Sequence, residues 1–191
     1  MRRGFTLAEV LITLGIIGVV AALTLPSLRQ QINYQQYVTS LRKIHSELSQ
    51  SVQKAMYDNG SEKWSDTNIS MRDFLSKYFR TSGSAGSAVN GFIGDTGSFK
   101  NVDGTNGAIG AADCAFINSG ASICFAGKSE VFVDVNGKEG PNIGGRDIFA
   151  LRIENDGTVN GWNSYSSSHS NSISVYNAFA RIVYDGWKMT Y

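Results

Sequence analysis

The segment GFTLAEVLITLGIIGVVAALTLP, residues 4–26, decides how the rest of the chain is read. It follows a three-residue leader, Met1-Arg2-Arg3, and from Phe5 to Leu25 it runs 21 residues with one charge, Glu9. At about 1.5 Å per residue, that is long enough to cross a bilayer as a helix. An ionised carboxylate in hydrocarbon costs about 2.5–3.5 kcal/mol even on lenient insertion scales, so Glu9 needs a role. The two arginines ahead of the run orient that end to the cytoplasmic side. Gly15 and Gly18 lie on nearly one helix face and let helix backbones approach closely in lipid. They also weaken the helix by about 1 kcal/mol each relative to alanine. Pro26 closes the run, removes a backbone hydrogen bond and predicts a kink.

The combination of Gly4, Phe5-Thr6-Leu7, Glu9 as the fifth residue from Phe5, the apolar run and Pro26 resembles one kind of segment. It is similar to the N-terminus of the type IV pilin and type II secretion pseudopilin superfamily. The resemblance covers only about the first 25 residues. It implies cleavage between Gly4 and Phe5 by a prepilin peptidase and N-methylation of the new Phe5 amine. It also implies a structural subunit of a type IV pilus-like filament or a type II secretion pseudopilus. Such a subunit waits as a single-pass protein among inner-membrane lipids with its head in the periplasm. An inner-membrane assembly platform then moves it into a homo- or hetero-oligomeric filament. The implied alternative is a minor pilin whose tip-borne head is a binding, adhesion or DNA-uptake module. An ordinary secretory signal would need an A-x-A-like cleavage site, and Ala22-Leu23-Thr24 is a poor version of one.

In that family the carboxylate at the Glu9 position meets the N-terminal amine of a neighbouring subunit. The physics fits, because an amine and a carboxylate attract strongly at low dielectric and each alone is costly there. The local alternative is a carboxylate near the start of a helix, favoured by the helix dipole.

Beyond Pro26, Leu28, Ile32, Val38, Leu41, Ile44, Leu48, Val52 and Met56 step mostly by three or four. Polar and charged residues fill the other faces, so the pattern is an amphipathic helix. Asp58-Asn59-Gly60 is its stop signal. Joined through Pro26, residues 5 to about 57 span about 80 Å at the helical rise. The expected divisions are a leader at 1–4, a transmembrane or filament-core helix at 5–26, its amphipathic half at 27–58, and a globular head at 59–191.

Net charge of +1 gives no general argument for nucleic-acid binding, and the stretch 82–113 has only Lys100 as a basic residue. Twenty-one glycines against two prolines predict a loop-rich β head. A short helix is expected over Ser70–Phe79 with Ser70 as cap. Residues 82–113 read as a long loop with short strands around 91–93 and 98–102. Strands are expected at Ala121–Phe125, at Glu130–Val135 with Val131, Val133 and Val135 on one face, at Asp147–Ile153 and at Thr158–Trp162. Asn155-Asp156-Gly157 makes a hairpin turn between the last two. Val175–Tyr184 reads as helix or strand, favouring helix. The predicted class is α+β and pilin-like: a long N-terminal helix packed on a C-terminal antiparallel sheet.

The exported head that the resemblance implies sits in an oxidising compartment. There Cys114 and Cys124, ten apart, are expected to pair as a disulfide, with two free thiols as the alternative. Between two strands lies Asp134-Val-Asn136-Gly-Lys-Glu139-Gly-Pro-Asn142-Ile-Gly-Gly-Arg-Asp147. Oxygen-bearing side chains alternate with glycines there, and hard cations such as calcium take six to eight oxygens. The spacing is not that of an EF-hand. Major pseudopilins carry calcium in a loop of their C-terminal sheet, so the resemblance makes Asp134, Asn136, Asn142 and Asp147 the candidate ligands. The alternative is a plain connection whose Asn and Gly serve turns. No other cofactor is expected. His45 on the helix and His169 in a serine-rich loop complete no catalytic set. No nucleophile elbow, phosphate loop or dinucleotide fingerprint occurs.

Overall fold

The computed structural model describes residues 4, 6–82, 91–93, 97–110, 113–164 and 172–191. The chain forms two compact units, Met1–Gln36 and Tyr37–Tyr191.

The first unit is carried by the N-terminal part of helix α1, whose full extent is Leu7–Asp58. Its apolar side chains, from Leu7 through Val19 to Ile32, are exposed. A stretch of 18 residues there has a mean hydropathy of 2.3 and none of it is buried. Among the described residues α1 is the one helix long and apolar enough to cross a membrane. The helix runs on through Pro26. With no N–H at Pro26, the Ala22 carbonyl lacks its helical donor. Nearby hydroxyls bond back to the helix, Thr24 Oγ1 to the Val20 carbonyl at 3.0 Å and Ser27 Oγ to the Thr24 carbonyl at 2.9 Å.

In the second unit, α1 contributes Val38, Leu41, Ile44, Leu48, Val52, Ala55 and Met56 to the core. These lie on one face at steps of three and four. Leu28 and Ile32, expected in the same stripe, are exposed instead. The head's packed unit begins only at Tyr37, so they have no head core to join. The helix ends as its sequence predicts. Ser61 N–H donates to the Met56 carbonyl at 3.0 Å and Gly60 N–H to that of Tyr57 at 3.1 Å, a Schellman closure around Gly60.

A 3₁₀ turn at Trp64–Asp66 buries Trp64, whose Nε1 donates to the Lys128 carbonyl at 2.7 Å. Helix α2, Met71–Tyr78, has Ser70 as its cap, accepting from Asp73 N–H at 3.1 Å. The strands follow: β1 Ser98–Asn101, β2 Asn106–Ala108, β3 Asp113–Phe116, β4 Ser122–Ala126, β5 Glu130–Asp134, β6 Ile143–Gly144, β7 Ile148–Ile153 and β8 Val159–Gly161. Helix α3, Ala178–Tyr184, comes last. The strand order is β2-β1-β6-β7-β5-β4-β3, with β8 paired to β7. The central pairs β3–β4, β4–β5, β5–β7 and β7–β8 are antiparallel. The sheet is nevertheless mixed, because β6 runs parallel to both β1 and β7. An all-antiparallel sheet was the expectation. The two-residue β6 changes that, because it is a loop segment recruited between two strands.

One sheet face presents Ile123, Phe125, Val131, Val133, Phe149, Leu151 and Ile153 to the α1 stripe and to Trp64 and Phe74. The other face is also buried. Cys114, Cys124, Phe132, Ile148 and Ala150 pack there against Ile93, Phe99, Ile109 and Val175. The expectation of one apolar face is corrected accordingly, and strands covered on both sides read as continuous apolar runs such as Ile148–Leu151. The cover comes partly from the stretch read as a long loop. Its described parts hold β1, β2 and the start of β3, while residues 91–93 form a turn with Ile93 buried rather than a strand.

Candidate functional site

At the N-terminus, Gly4 is described and exposed, whereas Phe5, the other processing residue, lies outside the described residues. Glu9 has a local partner. Its Oε2 accepts from the Thr6 amide and from the Thr6 hydroxyl, each at 2.8 Å. Glu9 N–H returns a bond to Thr6 Oγ1 at 3.3 Å. Thr6-x-x-Glu9 is thus a capping box that satisfies helix-start donors reciprocally. The signal was present as a threonine three residues before an acid at the head of an apolar run, and the membrane reading of Glu9 overlooked it.

Cys114 and Cys124 face each other across β3 and β4, their Cα atoms 4.1 Å apart, and their sulfurs are joined. That separation suits a non-hydrogen-bonded antiparallel pair, where side chains come closest. Both cysteines are buried in the second core. His45 serves packing. Its ring lies 5.1 Å from that of Phe179, and Nε2 is 2.9 Å from the Val159 carbonyl. A carbonyl only accepts, so that nitrogen carries the hydrogen. His169 lies outside the described residues.

The 134–147 connection is built around two buried carboxylates. Asp134 ends β5 and Asp147 precedes β7, and the two strands bring them together, with Val135 N–H donating to the Asp147 carbonyl at 2.9 Å. Asp147 holds the turn. Its Oδ1 accepts from Ile143 N–H and its Oδ2 from Asn142 N–H, each at 2.7 Å. Asn136 folds the other arm by donating Nδ2 to the carbonyls of Glu139 and Gly140, at 2.9 and 2.8 Å. Two acceptors on one side fix the amide's orientation, which leaves Oδ1 facing elsewhere. The peptide between Gly140 and Pro141 is cis, and Asn142 has φ 54° in the left-handed region that asparagine tolerates well.

Three side-chain oxygens in this loop are buried with no hydrogen-bond partner: Asp134 Oδ2, Asn136 Oδ1 and Asn142 Oδ1. Leaving a buried acceptor unpaired costs about 1–3 kcal/mol, so three in one connection is a concentrated cost. Electrostatics agree. Burial, reinforced by the neighbouring Asp147 charge, pushes the Asp134 carboxyl up to about 8. Burial also raises Asp147, opposed by the amides of Ile143 and Asn142 and by the Asn136 side chain. Tyr37 on α1 lies within reach of the loop's charges, its hydroxyl raised by burial and by Asp147 and Asp134, with Arg146 opposing. Among the described residues no cluster of three His, Cys, Asp or Glu side chains occurs. What the loop does gather is two carboxylates and two amides, all hard oxygens. It fits an oxygen-seeking cation such as calcium better than a nitrogen- or sulfur-seeking one.

The loop thus brings all four candidate residues together, but in unequal roles. Asp134, Asn136 and Asn142 present open oxygens, whereas Asp147 is engaged in holding the turn. No local pattern marks Tyr37 as a neighbour of this loop, because only the tertiary fold brings α1 within reach of the loop's charges.

Residues 1–25 match the family model of the prokaryotic N-terminal methylation motif, the signal segment of type IV pilins and pseudopilins. No curated protein and no solved structure matches the chain. The motif at residues 1–25, the exposed apolar helix and the α+β architecture are consistent with a pilin-like or pseudopilin subunit.

Proposed function

We propose that the chain is a filament subunit of a type IV pilus-like or type II secretion pseudopilus assembly. The match of residues 1–25 to the methylation motif carries this reading. In it, prepilin peptidase cuts between Gly4 and Phe5 and methylates the Phe5 amine. The helix then waits in the inner membrane, the head lies in the periplasm, and the assembly platform draws subunits into the filament. The exposed apolar surface of α1 suits both settings, since lipid and neighbouring helices bury it equally well. Within the head, the 134–147 loop takes one calcium ion. Asp134, Asn136 and Asn142 would hold it through their side-chain oxygens, and Asp147 would add charge. The three unpartnered oxygens support that assignment. With a cation bound, Asp134 at the end of β5 and Asp147 before β7 would be held together with their charges offset.

Mass spectrometry of the mature protein tests the filament reading. It is expected to find a chain starting at methylated Phe5. A start at Met1, or downstream of Pro26, would falsify it.

A further inference from the structure

Gly145 lies in the same connection, two residues before Asp147. It adopts φ 90°, a conformation side chains rarely reach, and a Cβ at this position would crowd Ile173 and Ala178. Its amide donates to the Ile148 carbonyl at 2.7 Å, so the backbone folds tightly here. Its carbonyl accepts a hydrogen bond from the Tyr191 hydroxyl at 2.8 Å, across 46 residues of sequence. Tyr191 also packs its ring against the main core, alongside Trp187 and Met189. A side chain packed against the core thereby holds one point of the Ile143–Asp147 turn in place. The turn's other fixed points are the Asp147 carboxylate and the Val102 amide, which donates to the Gly144 carbonyl at 3.0 Å.

We infer that Tyr191 is a positioning residue for the cation loop: through Gly145 it pre-sets the turn that carries Asn142 and Asp147, and so raises calcium affinity without touching the ion. This rests on the calcium reading of the loop. A flexible loop must be ordered when the ion binds, and that ordering is subtracted from affinity. A loop already held by a side chain packed on the core loses less. One neutral hydrogen bond changes an equilibrium by about two- to tenfold.

The test uses the full-length protein in detergent with calcium chloride as titrant, followed calorimetrically. Tyr191→Phe keeps the ring and removes only the hydroxyl, and Tyr57→Phe, at a fully exposed tyrosine, is the control. The expected result is calcium binding by the wild type, affinity about two- to tenfold weaker for Tyr191→Phe, and a wild-type value for Tyr57→Phe. The calcium-free melting temperature of Tyr191→Phe should stay close to that of the wild type. Equal calcium affinity in wild type and Tyr191→Phe overturns the positioning role and leaves the site intact. A lower calcium-free melting temperature with unchanged affinity also overturns it, because the bond then serves the fold alone. No calcium binding by the wild type overturns the site itself and the inference with it.

Discussion

Glu9 makes one observed contact and, in the proposed filament, a second with the same carboxylate. In the isolated chain it closes a capping box with Thr6, which stabilises the start of α1. In the proposed filament it meets a neighbour's N-terminal amine. The capping bonds use only Oε2, so they leave Oε1 for a second partner. Glu9→Val should therefore leave membrane insertion intact while lowering incorporation into filaments by more than about tenfold. Breaking one side of an ion pair at low dielectric costs about 3–5 kcal/mol. Immunoblots of sheared filaments against the membrane fraction check this, and equal incorporation retires the pairing role. The processing residues and the acid were legible because their spacing lies within six residues of one helix start. Tyr37 and Tyr191 were not, since each reaches the loop from a distant part of the sequence.

Elements with their own pattern were read correctly, and those held by partners were not. The Val131, Val133, Val135 alternation fixes β5, and Ser70 with Asp73 fixes the start of α2. Strands β2, β3 and β6 have two to four residues and little apolar periodicity. They exist because a neighbouring strand offers them hydrogen bonds. The Cys114–Cys124 link ties such a weak strand, β3, to the firm strand β4 within the second core. Replacing both cysteines with alanine should cost about 2–4 kcal/mol, which lowers the melting temperature by about 5–15 °C. Thermal unfolding followed by circular dichroism checks this. A shift below 2 °C, within the roughly 0.5 kcal/mol of an inert surface change, would show that the link adds little.

For the whole molecule, the proposed calcium reading of the loop makes stability depend on pH and calcium together. The Asp134 carboxyl titrates near 8 in the folded chain and near 3.9 when unfolded. Between those values the native state holds a proton that the unfolded state has released, so this group's contribution falls as pH rises. In chelator, the wild type should lose melting temperature relative to Asp134→Asn from pH 5 to pH 8. Calcium needs the ionised carboxylate, so it should reverse that loss. At about a hundred times its dissociation constant it should raise the wild-type melting temperature by about 5–10 °C near pH 8, and less near pH 5. A rising wild-type curve in chelator would contradict the raised titration of the buried Asp134 carboxyl. The sequence by itself determined the membrane-length helix, its processing motif, the amphipathic half of α1 and the central strands. Each of those is a local pattern of period 3.6 or 2, or a motif within a few residues. Only the tertiary structure decided where the head begins, that both sheet faces are buried, and which loop oxygens stay open. Those depend on contacts between residues far apart in the chain, and no local spacing encodes them.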